Sequence, residues 1–345
     1  MSLPAPIPGA AMPPSGALVD RFGRVHTYLR VSVTDRCNLR CTYCMPAEGL
    51  AWMPREEVLT YEEIARVVRV LVGMGVRKVR LTGGEPTVRK DLPALVAALA
   101  AIEGLQDLAM TTNGLLLDAL AAPLRAAGLR RVNVSLDDTD PARFAAVTRG
   151  GDVGRVLRGI EAARAAGLAP VKVNAVVVAG VNDDAPLRLV RHFAEAPDVE
   201  LRFIETMPFE RVDRAERHVP AARIRAALAE AISPLDPLPA PLHGGPATRF
   251  RLRATGQVVG FVSPITEHFC DACNRLRLQA DGHLRTCLSR EAEPSLRELL
   301  RAGLDDAGLG GELRRRVWGK AAGHEAHLDG DAFRAFDGVM TSVGG

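Results

Sequence analysis

Three cysteines, Cys37, Cys41 and Cys44, stand within the eight residues CNLRCTYC, and no other follows until Cys270. Three thiolates can hold three irons of a cubane 4Fe–4S cluster and leave the fourth iron open. An open position on a metal is where a substrate or cofactor binds, by the logic that separates catalytic from closed structural zinc sites. The competing reading is a zinc knuckle completed by a distant residue. Structural zinc favours paired cysteine knuckles and a closed shell, which weighs against it. A redox-sensing thiol cluster is weaker still. A second triplet, Cys270, Cys273 and Cys287, is spaced C-x2-C-x13-C. There a Cys3His zinc site using His268 or His283 competes with a second open cluster. The run TGGEP, residues 82–86, ends a strand-like segment, where glycines let backbone approach a ligand closely. A tight turn would explain it equally well on its own.

These residues need a scaffold. The chain has 345 residues, enough for one large domain with an appendage or for two domains. Its net charge of +3 gives no bulk electrostatic case for nucleic acid or a membrane, so any anion must meet a local cluster of bases. The longest uncharged apolar run, Leu92 to Ile102, is too short to span a bilayer. The first twenty residues lack a basic n-region and are broken by prolines; they read as a disordered leader rather than a secretory signal. The expected compartment is the cytoplasm, where cysteines serve as metal ligands or catalysts more often than as disulfides.

From residue 27 to about 206 strand-like and helix-like segments alternate. YLRVSV, VRKVRLT, QDLAMTT, RVNVSLD, PVKVNAVVV and VELRFIE are short, β-branched and bounded by Gly, Asp or Asn. Five stretches with three-to-four apolar spacing lie between them. Six strands joined by helices imply parallel pairing with right-handed crossovers. The fold class expected is α/β: a partial (β/α)6 barrel with its site at the strands' C-terminal edge, a doubly wound sheet being the alternative. Residues 21–232 would form this barrel and 233–345 a C-terminal region with its own cluster. SPLDPLPAPLHGGP (233–246) reads as a loop, and TRFRLRATGQVVGFVS as a β-hairpin. His192, His218, His324 and His327 join neither cysteine set and read as surface or satisfied residues. Arg314–Arg316 read as a solvated helix face, and Trp52 and Trp318 as packing residues.

With the elements in place, CNLRCTYC, with Tyr43 before its last cysteine, resembles the C-x3-C-x2-C signature of radical S-adenosylmethionine (SAM) enzymes. TGGEP one strand later resembles their second hallmark. The C-terminal cysteines enclosing NRLRL narrow the resemblance to the GTP 3′,8-cyclases, which open molybdenum cofactor (molybdopterin) biosynthesis. It runs from about Arg30 to Gly345 through RVSVTDRCNLRC, RLTGGEP, MTTNG, NVSLD, VKVNAVV, RFIETMP, CNRLRL and the terminal Gly-Gly.

The resemblance implies two 4Fe–4S clusters, on Cys37, Cys41 and Cys44 and on Cys270, Cys273 and Cys287. SAM would chelate the open iron of the first, and the purine of GTP would meet the second. It implies SAM contacts at Tyr43, Gly84, Ser135 and Met207. GTP contacts would come from Arg30, Arg80, Thr111, Lys172 and Arg275–Leu276–Arg277. Arg275, Arg277, Gly344 and Gly345 would serve catalysis, and Arg202 and Glu205 are looser candidates. A triphosphate carries about four negative charges, and bidentate Arg suits it. The implied reaction takes the 3′ hydrogen of GTP, joins C3′ to C8 of guanine, and reduces and protonates the product radical. Partners would be an external electron donor, cyclic pyranopterin monophosphate synthase as acceptor of the product, and a second copy in a homodimer or a monomer–dimer mixture. Two other readings compete: a peptide maturase of the radical SAM type, which carries more C-terminal cysteines, and a nonenzymatic metal-binding module, which needs neither TGGEP nor convergent arginines.

Overall fold

The computed structural model describes residues 3–207, 218–239, 245–290 and 293–323, together with the backbone of 328–329 and 332–333. The six expected strands are β1 (Tyr28–Ser32), β2 (Lys78–Thr82), β3 (Asp107–Thr112), β4 (Arg131–Ser135), β5 (Val171–Val177) and β6 (Val199–Glu205). They pair in parallel and in chain order, from β1 to β6. A doubly wound sheet reverses its strand order at a switch point. This one does not, so every crossover advances the same way, as in a barrel. The fold is an α/β partial barrel with a C-terminal extension.

The helices are α1 (Tyr61–Gly73), α2 (Leu92–Ala100), α3 (Leu117–Ala126), α4 (Pro141–Thr148), α5 (Val153–Ala165) and α6 (Ala185–His192). Helix α1 starts with a capping box, Thr60 and Glu63 each bonding the other's backbone. Helix α4 was not among the expected helices. Asp140 caps it through Arg143 N–H, and Pro141 opens its first turn. It is too short to show much periodicity. One strand face is apolar and buried against the helices: Leu29 and Val31, Val79 and Leu81, Val132 and Val134, Leu201 and Phe203.

Beyond α7 (Ala221–Ala231), the expected hairpin forms β8 (Thr248–Leu252) and β9 (Val258–Val262), and β9 joins β6 in parallel. Part of the expected 233–246 loop is instead a strand, β7 (Leu235–Leu238), antiparallel to β8. It is the sheet's edge, where Pro237 needs no N–H partner. At the other edge β10 (Arg275–Leu278) pairs in parallel with β1, and β11 (Leu284–Arg285) returns antiparallel. Helices α8 (Leu296–Arg301) and α9 (Asp306–Trp318) follow, and then a short hairpin of β12 (Leu328–Asp329) and β13 (Ala332–Phe333).

The structure corrects two expectations. Arg314–Arg316 is no solvated face: Arg315 is exposed, but Arg314 and Arg316 are buried. Arg316 donates to Glu312 and to Pro294 O, and Arg314 donates to the carbonyls of Gly16 and Ala17. The end of the leader is accordingly packed, with Leu18 and Asp20 buried. Trp52 lies under the Arg40 guanidinium, 5.1 Å away, and Trp318 is half-buried. His192 is exposed beside Phe193, and His218 reaches to 3.5 Å from Glu205. His324 and His327 lie outside the described residues.

Candidate active site

Where the outer strand face is apolar, the inner face is polar and mostly basic. Register sets this out in rows. Arg30 stands between Arg80 and Arg277, and Tyr28 between Lys78 and Arg275. Asn133 lies between Thr111 and Lys172, and Glu200 follows Lys172. Strand side chains alternate faces, so every second residue of RVNVS, VKVNAVV or RLRL points inward. Of these inner residues all but Glu200 line one cavity of about 870 Å³. Both cysteine triplets line it too, with Tyr43, Gly84, Thr111, Ser135, Met207 and His268. Leu276 points the other way and is buried in the core. Gly344 and Gly345 lie outside the described residues.

Burial and crowding set the electrostatics. Desolvation, with Arg80 and Arg275 adding repulsion, holds Arg30 down at about 10. Arg277 falls well below its ordinary value through burial and the nearby Arg30 and Arg275. Lys172 is lowered to about 7, by burial first and Arg202 second, although Glu200 opposes this. Glu200 takes Arg202 at 2.6 Å and Lys172 at 3.5 Å. Tyr28 accepts from Arg80 Nε at 2.7 Å, and Lys78 sits over its ring at 4.5 Å. Burial would raise the Tyr28 phenol, but Arg80, Arg30 and Lys78 together draw it down to about 6. Arg30, Lys78, Lys172, Arg202 and Arg277 are each held in a setting that disfavours their charge. A bound polyanion relieves that cost at several residues together.

Tyr28, Lys78, Glu200 and Asp137 were missed from the sequence. Period-two alternation on the strands was the signal that could have found the first three. Asp137, just after β4, is buried; it accepts from Tyr43 Oη at 2.7 Å and from Val176 N–H at 2.9 Å. Burial pushes its carboxyl up to about 6. Glu205 is buried beneath the loop that leads to Cys270. It accepts from the N–H groups of Ala221, Ile265 and Thr266.

The cysteine-bearing loop after β1 lies against the Gly83–Gly84 turn. Gly83 has φ +145°, and a Cβ there would stand 2.4 Å from Thr34 O. A Cβ on Gly84 would stand 2.3 Å from Arg36 O. Glycine lets the turn bond this loop directly, through Gly84 N–H to Thr34 O and Glu85 N–H to Arg36 O. Glu85 is fully buried and accepts from Thr87, Thr112 and Asn113, tying the ends of β2 and β3 together.

None of the six cysteines is in a disulfide. Burial raises Cys37 to about 11 and lifts Cys41 well above its ordinary value. Cys273 differs: burial is outweighed by Lys320 and Arg275, which bring it to about 6. Among the described residues no three His, Cys, Asp or Glu side chains close around a single metal ion. A cubane does not require that, because its three ligands bind three separate irons. The soft donors and the shared cavity fit such a group. A Cβ at Gly323 would come within 3.0 Å of Cys270 Sγ, so that side of the second triplet is pared to backbone. Of the two histidines offered as zinc ligands, His268 lines the cavity, while His283 keeps its Nδ1 3.0 Å from Asp281 Oδ2.

A family model described as the radical SAM superfamily matches residues 31–193, and one described as molybdenum cofactor synthesis C matches residues 199–326. The Streptococcus suis protein SuiB, solved bound to S-adenosylmethionine, shares the fold at a TM-score of 0.57 and 15% identity, over 84% of this chain and 68% of its own. Fold, cysteine motif and family model together define a radical SAM protein, a class that works with a 4Fe–4S cluster and SAM. A GTP 3′,8-cyclase of Mycobacterium sp. (strain KMS) is 46% identical over 341 residues, covering 98% of this chain and 96% of its own. One from Moorella thermoacetica is 45% identical over 94% of this chain and 99% of its own. The chain belongs to the GTP 3′,8-cyclase family.

Proposed function

We propose that the chain converts GTP to (8S)-3′,8-cyclo-7,8-dihydroguanosine 5′-triphosphate, the first step of molybdenum cofactor biosynthesis. One observation carries the reading: Arg277, Arg30 and Arg80 stand abreast on the same cavity as two separate cysteine triplets. Bound at Cys37, Cys41 and Cys44, the cluster and its SAM supply a 5′-deoxyadenosyl radical that removes a hydrogen atom.

The chain's own residues do the positioning. Tyr43, Gly84, Ser135 and Met207 hold SAM, with Asp137 fixing the Tyr43 ring through its hydroxyl. Arg30, Arg80, Lys172, Arg275 and Arg277 take the triphosphate, and Thr111, 3.4 Å from Arg80 Nη1, completes that row. Leu276 anchors β10 in the core, so that its two arginines project together. Cys270, Cys273 and Cys287 would hold a second 4Fe–4S cluster, which would supply a binding site for the purine. Gly344 and Gly345 help Arg275 and Arg277 act in cyclisation. Holding both reactants in one cavity replaces an encounter in solution with a fixed approach. An external donor supplies electrons, and cyclic pyranopterin monophosphate synthase takes the product. The enzyme works in the cytoplasm as a homodimer. Among the described residues no helix is long and apolar enough to cross a membrane.

Anaerobic incubation with SAM, GTP and dithionite tests the reading. It expects 5′-deoxyadenosine and a cyclised isomer of GTP in matching amounts. SAM cleavage that leaves GTP unchanged, in protein holding about eight irons, would overturn it.

A further inference from the structure

Lys320, just past α9, is 1% exposed, which is rare for lysine. Its ammonium has two described partners. Nζ lies 3.5 Å from Cys273 Sγ and donates to Arg275 O at 2.8 Å. It therefore touches one sulfur of the second triplet and the first residue of β10, the strand that carries Arg275 and Arg277. The surrounding chain is built to keep it there. Arg24 Nη1 donates to Cys270 O at 2.7 Å and to Ala322 O at 2.6 Å, and its Nη2 donates to Ala321 O at 2.6 Å. Asp20 holds Arg24 in turn, at 2.7 Å, and also accepts from His26 Nε2 at 3.0 Å. A buried Asp–Arg clamp from the start of the chain thus fastens the segment after Lys320 to the loop of Cys270.

The hydrogen bond to Arg275 O alone does not require a charge, because any neutral donor could make it. A buried ammonium is costly unless an anion faces it. The group within reach is the Cys273 sulfur, 3.5 Å away, which a bound cluster would hold as a thiolate.

We propose that Lys320 is a positioning residue that tunes the second cluster: it donates a charged hydrogen bond to the Cys273 sulfur and so raises that cluster's reduction potential. The inference rests on the second-cluster reading above. Net charge and hydrogen bonds to the sulfurs are among the determinants of such a potential. A cation at a sulfur favours the reduced form, which carries one more negative charge. No step of the reaction passes through Lys320.

The test compares wild-type protein with Lys320→Met, which keeps the stem and loses the charge, and Lys320→Gln, which keeps a neutral donor. Both clusters are reconstituted anaerobically, and each midpoint is followed by EPR during redox titration. The expected result is a more negative midpoint for the second cluster in Lys320→Met, with Lys320→Gln in between. The first cluster, identified by its spectral change on adding SAM, should not move. If Lys320→Met fails to retain its second cluster, the Lys320→Gln midpoint decides the question. Unmoved midpoints in variants with full iron, joined to weaker GTP binding, would overturn the inference and leave Lys320 a mere prop for β10. Only four irons in the wild type, or zinc at the second site, would overturn the second-cluster reading, and this inference with it.

Discussion

Arg30 on β1 and Arg277 on β10 are register partners in a parallel pair, although they come from opposite ends of the chain. Both are half-buried, desolvation lowers both below their ordinary value, and Arg30 adds to the lowering of Arg277. They set two guanidinium groups side by side, which neither segment could do alone. Arg277→Ala should weaken GTP binding by about tenfold to a hundredfold, the equivalent of roughly 1.5–3 kcal/mol for a lost charge-assisted contact. Combining it with Arg30→Ala should cost less than the two single losses added, since the pair shares a ligand. Calorimetry of the two single variants and the double variant checks this; strict additivity would mean separate sites.

Lys172, lowered to about 7 by burial and by Arg202, should take up a proton when the triphosphate arrives. At pH 8, GTP binding should therefore draw more protons from the buffer in wild type than in Lys172→Met. Calorimetry in buffers of different ionisation enthalpy measures the difference. The same shift has a sign for stability. The unfolded chain keeps the ordinary 10.5, so between about 7 and 10.5 it binds the extra proton. The contribution of Lys172 to stability accordingly rises with pH across that window, and its penalty is greatest below it. Lys172→Met should thus gain most over wild type below pH 7.

Gly84 leaves no room for a side chain against Arg36 O. Gly84→Ala should push away the loop that leads into Cys37. Iron should fall from about eight to about four per chain as the first cluster is lost and the second stays. SAM cleavage should vanish with it. Iron analysis and the SAM-dependent EPR change report the two effects, and full iron with wild-type cleavage would show that the turn can yield.

Arg315 and Arg316 are neighbours on α9 with opposite fates, one exposed and one buried against Glu312 and Pro294 O. Arg316→Ala should destabilise the protein by roughly 1.5–3 kcal/mol for the charged hydrogen bonds lost. Arg315→Ala should stay within about 0.5 kcal/mol, as surface changes do. Thermal unfolding of the two variants under the same conditions separates them.

The contrast between those two arginines shows where the sequence was legible. Strand order, the partial barrel and the cysteine loops could be read locally, because alternation and spacing are local. The parallel pairing of β10 with β1 could not, because nothing near either segment encodes a partner so distant in the chain. The RRR run looks like a charged face in one dimension, and only the packing of α9 buries two of its three members. Strand β7 was hidden by prolines that an edge position tolerates. Arg30, Arg80, Lys172, Arg275 and Arg277, which line the cavity, were singled out through type and motif. Tyr28 and Glu200, which steady them, sit on the same inner face but carry no motif. Lys320 gave no local sign at all, since its partner Cys273 lies across a loop, two strands and two helices.

The central claim is that one cavity brings the ribose of GTP to the radical made from SAM. GTP deuterated at C3′ tests it most directly. The account predicts that the deuterium appears in 5′-deoxyadenosine and that a product cyclised between C3′ and C8 forms alongside it. Deuterium retained in the nucleotide, with unlabelled 5′-deoxyadenosine released, would contradict it.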